Sequence, residues 1–389
     1  MKLYDDLIWR GIIKDISSPD LEEKLNNGGL TFYIGTDPTA DSLHIGHLSS
    51  FLISKRLKDA GHNPILLIGG GTGLIGDPRP TIERDTIVKE ELFKNVDSLT
   101  KQVKDLFGFE VVNNYDWIKD ISAIDFLRDY GKYFNVNYML NKDIVRRRLD
   151  TGITYCEMSY MILQALDFLY LYRNKGVTLQ VAGSDQWGNI TAGIDLIRKK
   201  ENVEAYGFTM PLVTDKYGNK FGKSEGNALW LDKEKTSPYK IYQYLLNSDD
   251  EMVVTYLKIF TFLTHEEIDT LELSVKNEPE KRLAQKTLAF EVVKFLHGEE
   301  EANKAKETSE KVFNGEETDE MPKFEVASEN ILDILVETKL APSKSEARRL
   351  VIQGGIMINN EKIIDPNYLC NNEFILRKGK KNIVKIVRK

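Results

Sequence analysis

One strand–helix–strand unit near the N-terminus constrains this chain more than any other stretch. LTFYIG at 30–35 is apolar enough to be a buried strand. DSLHIGHLSSFLISKRLKDAG at 41–61 then carries Leu48, Phe51, Leu52 and Lys55 at helical spacing, with Asp41 or Ser42 as N-cap and Gly61 as a stop. NPILLIGG follows as a second apolar strand. Two strands joined through one helix form a right-handed βαβ unit, hence a parallel sheet with helices on its faces. The chain therefore reads as α/β. A further strand is expected at VTLQVAG, 177–183, ahead of the polar loop SDQWGN and another helix.

The 389 residues, 41% of them hydrophobic, suffice for two or three domains with separate cores. Residues 236–313 have a helical, richly charged pattern, FNGEETDEMPKFE reads as an acidic linker, and the last 60 residues read as a separate module. The expected divisions are 1–235, a helical region at 236–320, a linker at 321–328 and a terminal module at 329–389. Net charge is −7, yet residues 329–389 hold 12 Lys+Arg against 7 Asp+Glu, a local +5 that leaves −12 on the rest. Such asymmetry suits a nucleic-acid partner for the tail or, equally, a basic face kept for solubility. No run reaches the roughly 18 apolar residues of a membrane span. MKLYDDLIWRGII is neither a signal nor a transit peptide, and Cys156 and Cys370 alone exclude a disulfide framework and a thiolate zinc site. These features imply a cytoplasmic protein without a membrane partner.

Only five histidines occur, and His44 and His47 stand three apart at the expected helix start. A helix N-terminus behind a parallel strand presents unpaired N–H groups and a positive dipole end, which suit phosphate. Two other readings stand beside phosphate. A zinc site would need a third ligand, with His62 the only other histidine or cysteine near in sequence, and the pair could instead serve only the helix start.

DKYGNKFGKSEGNALWLD, 215–232, sets Lys220 and Lys223 around Phe221-Gly222, with Ser224 next. It misses the P-loop pattern because Gly218 is one residue too close to Gly222 and no helix start follows. GTGLIG at 71–76 matches G-x-G-x-x-G, but Pro78 and Pro80 obstruct the helix a dinucleotide fold needs there, which disfavours a nicotinamide oxidoreductase. In SYMILQALDFLYLY, Tyr160, Gln164 and Asp167 form one polar stripe on a helix otherwise apolar all round. Such a helix is buried, so the stripe must meet polar groups inside the protein, either an internal network or a ligand with two polar ends.

HIGH after the first strand and KFGKS about 175 residues later resemble the paired signatures of class I aminoacyl-tRNA synthetases, with Phe221-Gly222 in place of the commoner Met-Ser. Together with YIGTDPTADSLHIGHL, GLIGDP, SYMILQALDFLYLY, GSDQWGN and KFGKSEGNALWLDKEKTSPY, they make the chain similar to the bacterial-type tyrosyl-tRNA synthetases from about residue 30 to its C-terminus. The resemblance implies a Rossmann-like catalytic domain with a dimer-forming insertion at about 110–160, a helical domain and a small α+β S4-like RNA-binding domain. It also implies L-tyrosine, tRNA(Tyr) and ATP with Mg²⁺ as substrates, no protein-bound metal, and a homodimer.

By the same resemblance, His44, His47 and Thr39 hold the ATP phosphates, and Lys220 and Lys223, assisted by Ser224, meet the departing pyrophosphate. Asp185 binds ribose, Gly183 packs against the nucleoside and Gln186 lies beside the reacting carboxylate. Tyr160, Gln164 and Asp77 hold the substrate ammonium, while Tyr33 and Asp167 bond its phenolic hydroxyl. Two departures stand out. Ile34 replaces a cysteine that can touch ribose, and PRPTIERD lacks a lysine often found there, with Arg79 and Arg84 as substitutes. The sister tryptophanyl enzyme is disfavoured by Tyr33 with Asp167 and by the tail. A catalytically retired relative should have lost part of HIGH or KFGKS, and neither is lost.

The tail has its own signals. Ser343 and Glu346 fit a capping box, Gly354-Gly355 stops the helix that carries Arg348 and Arg349, and IMINNEKI reads as a hairpin around Asn359-Asn360. This resembles an S4-type module, with Lys344, Arg348, Arg349, Lys380 and Lys381 as the tRNA contacts it implies.

Overall fold

The computed structural model describes residues 1–78, 87–224, 227–379 and 382–389, and it divides into two compact units. The first comprises Met1–Lys235 and Asp250–Lys276; the second comprises Thr236–Asp249 and Asn277–Lys389.

The first unit is built on a six-stranded sheet of β1 (Asp15–Ile16), β2 (Thr31–Thr36), β3 (Asn63–Ile68), β4 (Glu110–Asn113), β5 (Leu179–Gly183) and β6 (Tyr206–Met210). Their spatial order is β1-β6-β5-β2-β3-β4, parallel throughout except for β1 against β6. The strands that cross through helices are apolar enough to be covered on both faces, as Phe32, Tyr33 and Ile34 in β2 and Leu66 and Ile68 in β3 are. From β2 the chain adds strands in one direction through β3 and β4, then returns to add β5 and β6 on the other side. That reversal leaves a crevice at the carboxyl ends of β2 and β5, where ligands of open α/β sheets bind.

The helix of the first βαβ unit starts later than the sequence suggested, at Ile45–Asp59 with His44 as its N-cap. Residues 41–44 cannot join the helix because Leu43 accepts a backbone bond from Leu231 and His44 bridges to Trp230. The helix Tyr155–Lys175 begins in a capping box between Thr154 and Glu157. Glu157 is also held by the buried Arg148 through two N–H donors at 3.0 and 3.2 Å.

Helices Asp250–Phe260 and His265–Asn277 were expected to belong to a separate helical region, but their contacts join them to the sheet unit, save the terminal Asn277. The buried face of the first, Val253, Tyr256, Leu257 and Phe260, explains this, since an amphipathic helix goes wherever its stripe is covered.

In the second unit, helices Pro238–Leu246, Leu283–His297 and Glu299–Asn314 accompany a five-stranded sheet. Besides β7 (Lys223–Ser224) and β8 (Asn227–Ala228) of the first unit, the chain forms β9 (Lys323–Val326), β10 (Ile356–Ile358), β11 (Glu361–Ile363), β12 (Phe374–Lys378) and β13 (Asn382–Arg388). The expected linker at 321–328 is corrected here, because β9 occupies it and pairs in parallel with β13. Without β9, β13 would present an open edge. The expected hairpin is present: β10 and β11 pair across Asn359 and Asn360, both at positive φ (48° and 67°) as a two-residue turn of this hand requires. Ser343 accepts from Glu346 N at 3.3 Å, whereas the Glu346 carboxylate turns to Arg349 at 2.7 Å, so only half of the capping box forms. No helix among the described residues is long and apolar enough to cross a membrane.

Candidate active site

The carboxyl ends of β2, β3, β4 and β5 deliver the polar residues. From β4, Asn114 and Trp117 point inward to the helix Tyr155–Lys175. Asn114 Nδ2 donates to one Asp167 oxygen at 2.9 Å, and Trp117 Nε1 donates to the other at 2.8 Å. Asp167 is 1% exposed, and burial pushes its carboxyl up to about 7 despite these donors, with the Asp37 charge adding to the rise. Tyr33 is as deeply buried, and its hydroxyl finds no hydrogen-bond partner among the described residues. Burial, followed by the Asp167 charge, drives that phenol well above its ordinary pKa. A hydroxyl left unmade at such depth is costly unless a ligand completes it.

The rest of the stripe opens towards β2, β3 and β5. Tyr160 donates to Asp37 at 3.3 Å, Thr72 donates to the same carboxylate at 3.2 Å, and Asn114 donates to Thr72 at 2.9 Å. Gln164 accepts from Asn189 at 3.0 Å. Asn189 reaches Gln186 at 2.9 Å and Asp77 at 3.4 Å, while Gln186 donates to Asp77 at 2.7 Å. The bonds make two networks: Tyr160 joins Asp167 through Asp37, Thr72 and Asn114, while Gln164, Asn189, Gln186 and Asp77 form the other.

His44 and His47 stack at 3.7 Å with 19° between their planes. His44 Nδ1 accepts from Gly46 N at 3.1 Å, and His47 Nδ1 accepts weakly from His44 N at 3.4 Å. An acceptor Nδ1 leaves the proton of a neutral ring on Nε2, so both rings hold N–H donors away from the helix start. Burial, with the charges of His44 and Lys220 behind it, lowers His47 to about 3, which keeps it neutral at pH 7. His62 has a different use: it accepts from Leu30 N at 3.2 Å and meets Leu25 O at 3.0 Å, so it is committed to packing against β2.

The KFGKS segment is joined to this helix start by backbone. Leu229 N donates to Gly222 O, Ile45 N donates to Leu229 O, and Leu231 N donates to Leu43 O. Gly222 has φ +91°, and a Cβ there would lie 2.5 Å from Ile45 Cγ2 and 2.9 Å from Gly46 N. Only glycine fits, which accounts for one of the two departures from the commoner motif. Lys220 is exposed on the arm that bridges to Thr214. Lys223 and Ser224 form β7 with their backbones, and their side chains lie outside what is described, as do residues Arg79 and Arg84. Asp185 is exposed just past β5. A Cβ on Gly183 would meet its Oδ1 at 2.7 Å, and Thr39 is exposed beyond β2.

Residues 25–314 match the family model of class I tRNA synthetases (W and Y), and residues 314–386 match the tyrosine-tRNA ligase SYY-like C-terminal domain. A tyrosine-tRNA ligase of Limosilactobacillus fermentum is 50% identical over 410 residues, covering 98% of each chain, and one of Listeria innocua is 49% identical over 411 residues with the same coverage. The chain belongs to the tyrosine-tRNA ligase family. Among solved structures, a C-terminally truncated mitochondrial tyrosyl-tRNA synthetase of Aspergillus nidulans is 30% identical with a TM-score of 0.71, covering 80% of this chain and 94% of that one. A tryptophanyl-tRNA synthetase of Encephalitozoon cuniculi shares the fold, with a TM-score of 0.60 at 18% identity over 77% of this chain and 87% of that one.

In this tyrosine-tRNA ligase relative, several site residues escaped the sequence reading. Asn114, Trp117, Asp37, Thr72 and Asn189 complete the polar networks around the stripe, and Gln180 sits buried beside Tyr33 in register with it. The available signal for Asn114 and Trp117 was a polar Asn-Asn followed by Trp directly behind the short strand EVVN. For Asn189 it was GSDQWGN itself.

Proposed function

We propose that this protein joins L-tyrosine to tRNA(Tyr) at the expense of ATP, and that Tyr33 and Asp167 select the amino acid. The observation that carries the selection is the pairing of a buried, unpartnered Tyr33 hydroxyl with a buried Asp167 carboxyl held by two N–H donors. A phenol would donate to Asp167 and accept from Tyr33, whereas a phenyl ring would leave both unmet. The ammonium would lie among Tyr160, Gln164 and Asp77, with Gln186 near the carboxylate.

Chemistry then needs no general base, since the tyrosine carboxylate is itself the nucleophile. Its oxygen bonds to the α-phosphorus of ATP as the bond to pyrophosphate breaks. His47 serves as a neutral Nε2–H donor to the phosphates, with His44 stacked on it as a second donor and Thr39 beside them. Lys220 and Lys223, with Ser224, take up the charge on the departing pyrophosphate. Asp185 would bind the ribose, Gly183 would let the nucleoside approach, and Mg²⁺ would enter on the nucleotide's phosphates. In the second step a terminal ribose hydroxyl of tRNA attacks the mixed anhydride and AMP leaves.

Two features support the assembly. Ile124, Leu127, Val136, Tyr138, Leu149 and Tyr155 are large, apolar and exposed within the 110–160 segment, as a homodimer interface requires. In the second unit, exposed Lys344, Arg348 and Arg349 lie along one short helix. Lys344 pairs with Asp333 and Arg349 with Glu346, exchangeable surface pairs that cost little to trade for phosphate. Lys380 and Lys381 are further candidates that lie outside the described residues. A cytoplasmic setting fits these substrates.

ATP–pyrophosphate exchange tested with each of the twenty amino acids should respond to tyrosine alone, and exchange driven by tryptophan or by none would defeat the reading. Charging of tRNA should fall with added salt far more steeply than exchange does, because phosphate contacts release counterions. Equal salt slopes would remove the basic helix from tRNA binding. Sedimentation equilibrium should return the dimer mass, and a monomer at micromolar concentration would count against the 110–160 interface.

A further inference from the structure

The second departure in KFGKS, phenylalanine where methionine is commoner, has a partner in the helix Asp250–Phe260. Phe221 is 5% exposed, and its ring packs on Tyr256 and Phe260 at centroid distances of 4.6 and 4.9 Å. Tyr256 also donates its hydroxyl to Thr214 O at 2.9 Å. Thr214 is the residue that bridges across to Lys220, and Phe221 N closes the same ladder on Val213 O at 3.1 Å. The tip between them is self-contained: Asp215 accepts from the backbones of Tyr217 and Asn219 at 2.9 and 2.8 Å. One side chain thus grips both arms of the hairpin that carries Lys220, by ring contact on one arm and by a hydrogen bond on the other.

We propose that Tyr256 is a positioning residue for the activation step, setting the reach of Lys220 towards the phosphates by fixing the base of this hairpin. It touches no substrate and acts only through the 213–221 arms. The inference rests on the proposed role of Lys220 in ATP-driven tyrosine activation. An arm freed at its base spreads Lys220 over more positions, and a charge that must be in place as pyrophosphate leaves then contributes less to the transition state. Substrate tyrosine, bound by the stripe on the helix Tyr155–Lys175, is not affected.

The test uses the full chain and measures single-turnover formation of tyrosyl-adenylate, tyrosine affinity by equilibrium binding, and thermal stability. Tyr256→Phe keeps the ring and loses only the bond to Thr214. It should lower the single-turnover rate about 3- to 10-fold, the scale of one hydrogen bond, with tyrosine affinity unchanged. Tyr256→Leu should lower it further, and should it fail to fold, the phenylalanine variant still decides. In a Lys220→Ala background, Tyr256→Phe should add almost nothing, because the residue it positions is gone. A wild-type rate in Tyr256→Phe, a matching loss of tyrosine affinity, or a full additional loss in the Lys220→Ala background would each overturn the proposal. Failure of the wild-type protein to activate tyrosine would instead sink the functional reading beneath it.

Discussion

Replacing Asp167 with alanine should lower kcat/KM for tyrosine by about 10²-fold or more and erase most of the preference for tyrosine over phenylalanine, while KM for ATP barely moves. The carboxylate can accept a hydrogen bond from a phenol beside Tyr33 and is already oriented by the protein, through Asn114 at 2.9 Å and Trp117 at 2.8 Å. Alanine leaves the substrate hydroxyl, one of the two Asn114 amide N–H groups and the Trp117 indole N–H without an acceptor, each a penalty of about 1–3 kcal/mol when buried. Phenylalanine brings no hydroxyl and suffers less from the change, so the ratio collapses from the tyrosine side. Exchange assays with both amino acids give the answer. An unchanged tyrosine-to-phenylalanine ratio would remove Asp167 from the specificity site.

On the proposed reading, the same carboxyl should give tyrosine binding a pH dependence. Its folded pKa stands at about 7 against an ordinary 3.8, so the fold favours the neutral form. Burying the charge therefore costs nothing below the ordinary value, and the cost grows as pH rises from there to about 7, reaching on the order of 4 kcal/mol. A phenol that donates to the carboxylate adds a third hydrogen bond to its charged form and pulls the pKa down. By linkage, tyrosine affinity should weaken by up to about tenfold per pH unit as pH falls below 7 and should be flat above it. A binding titration from pH 5.5 to 8.5 checks this, and an affinity constant over that range would mean that tyrosine does not engage the ionised Asp167.

Periodicity made the scaffold of this site legible. β2, the Ile45–Asp59 helix and β3 were visible because buried parallel strands and an amphipathic helix have different repeats, and the stripe of Tyr160, Gln164 and Asp167 was visible because everything around it is apolar. The other half of each contact was not. Asn114 and Trp117 lie some 50 residues from Asp167 and reach it only because β4 pairs with β3, a pairing that no local pattern encodes. Asp37 and Thr72 were hidden for the same reason, one in a turn and the other inside a motif that resembled a dinucleotide loop.

The division of the chain was legible only where composition changes. Helices Asp250–Phe260 and Leu283–His297 are both amphipathic, and nothing in their spacing says that the first packs in the sheet unit and the second does not. KFEV at 323–326 alternates polar and apolar residues as a strand should, but its acidic surroundings masked a four-residue signal. His44 as a helix cap was missed because imidazole is an uncommon cap. It serves here because its Nδ1 accepts from Gly46 N while its backbone is held extended by the bridge to Trp230.

Lys220→Ala should slow tyrosyl-adenylate formation by about 10²- to 10³-fold, the loss expected for one preorganised group aimed at developing charge. The argument starts from the histidines. His47 is held at about 3, so on the proposed reading it would act as a neutral N–H donor and bring no formal positive charge to offset what accumulates on pyrophosphate. That charge must come from elsewhere. Lys220 is near enough that its own charge helps keep His47 neutral, and its arm is fixed to the helix start through Gly222, Leu229 and Ile45. Because the interaction develops as the phosphorus–oxygen bond breaks, the variant should lose rate and keep its equilibrium affinity for tyrosine. Single-turnover kinetics with saturating ATP, beside a tyrosine binding titration, separates the two quantities. A variant with a normal adenylate-forming rate, or one whose entire defect is weaker tyrosine binding, would show that the lysine holds the substrate complex rather than the transition state.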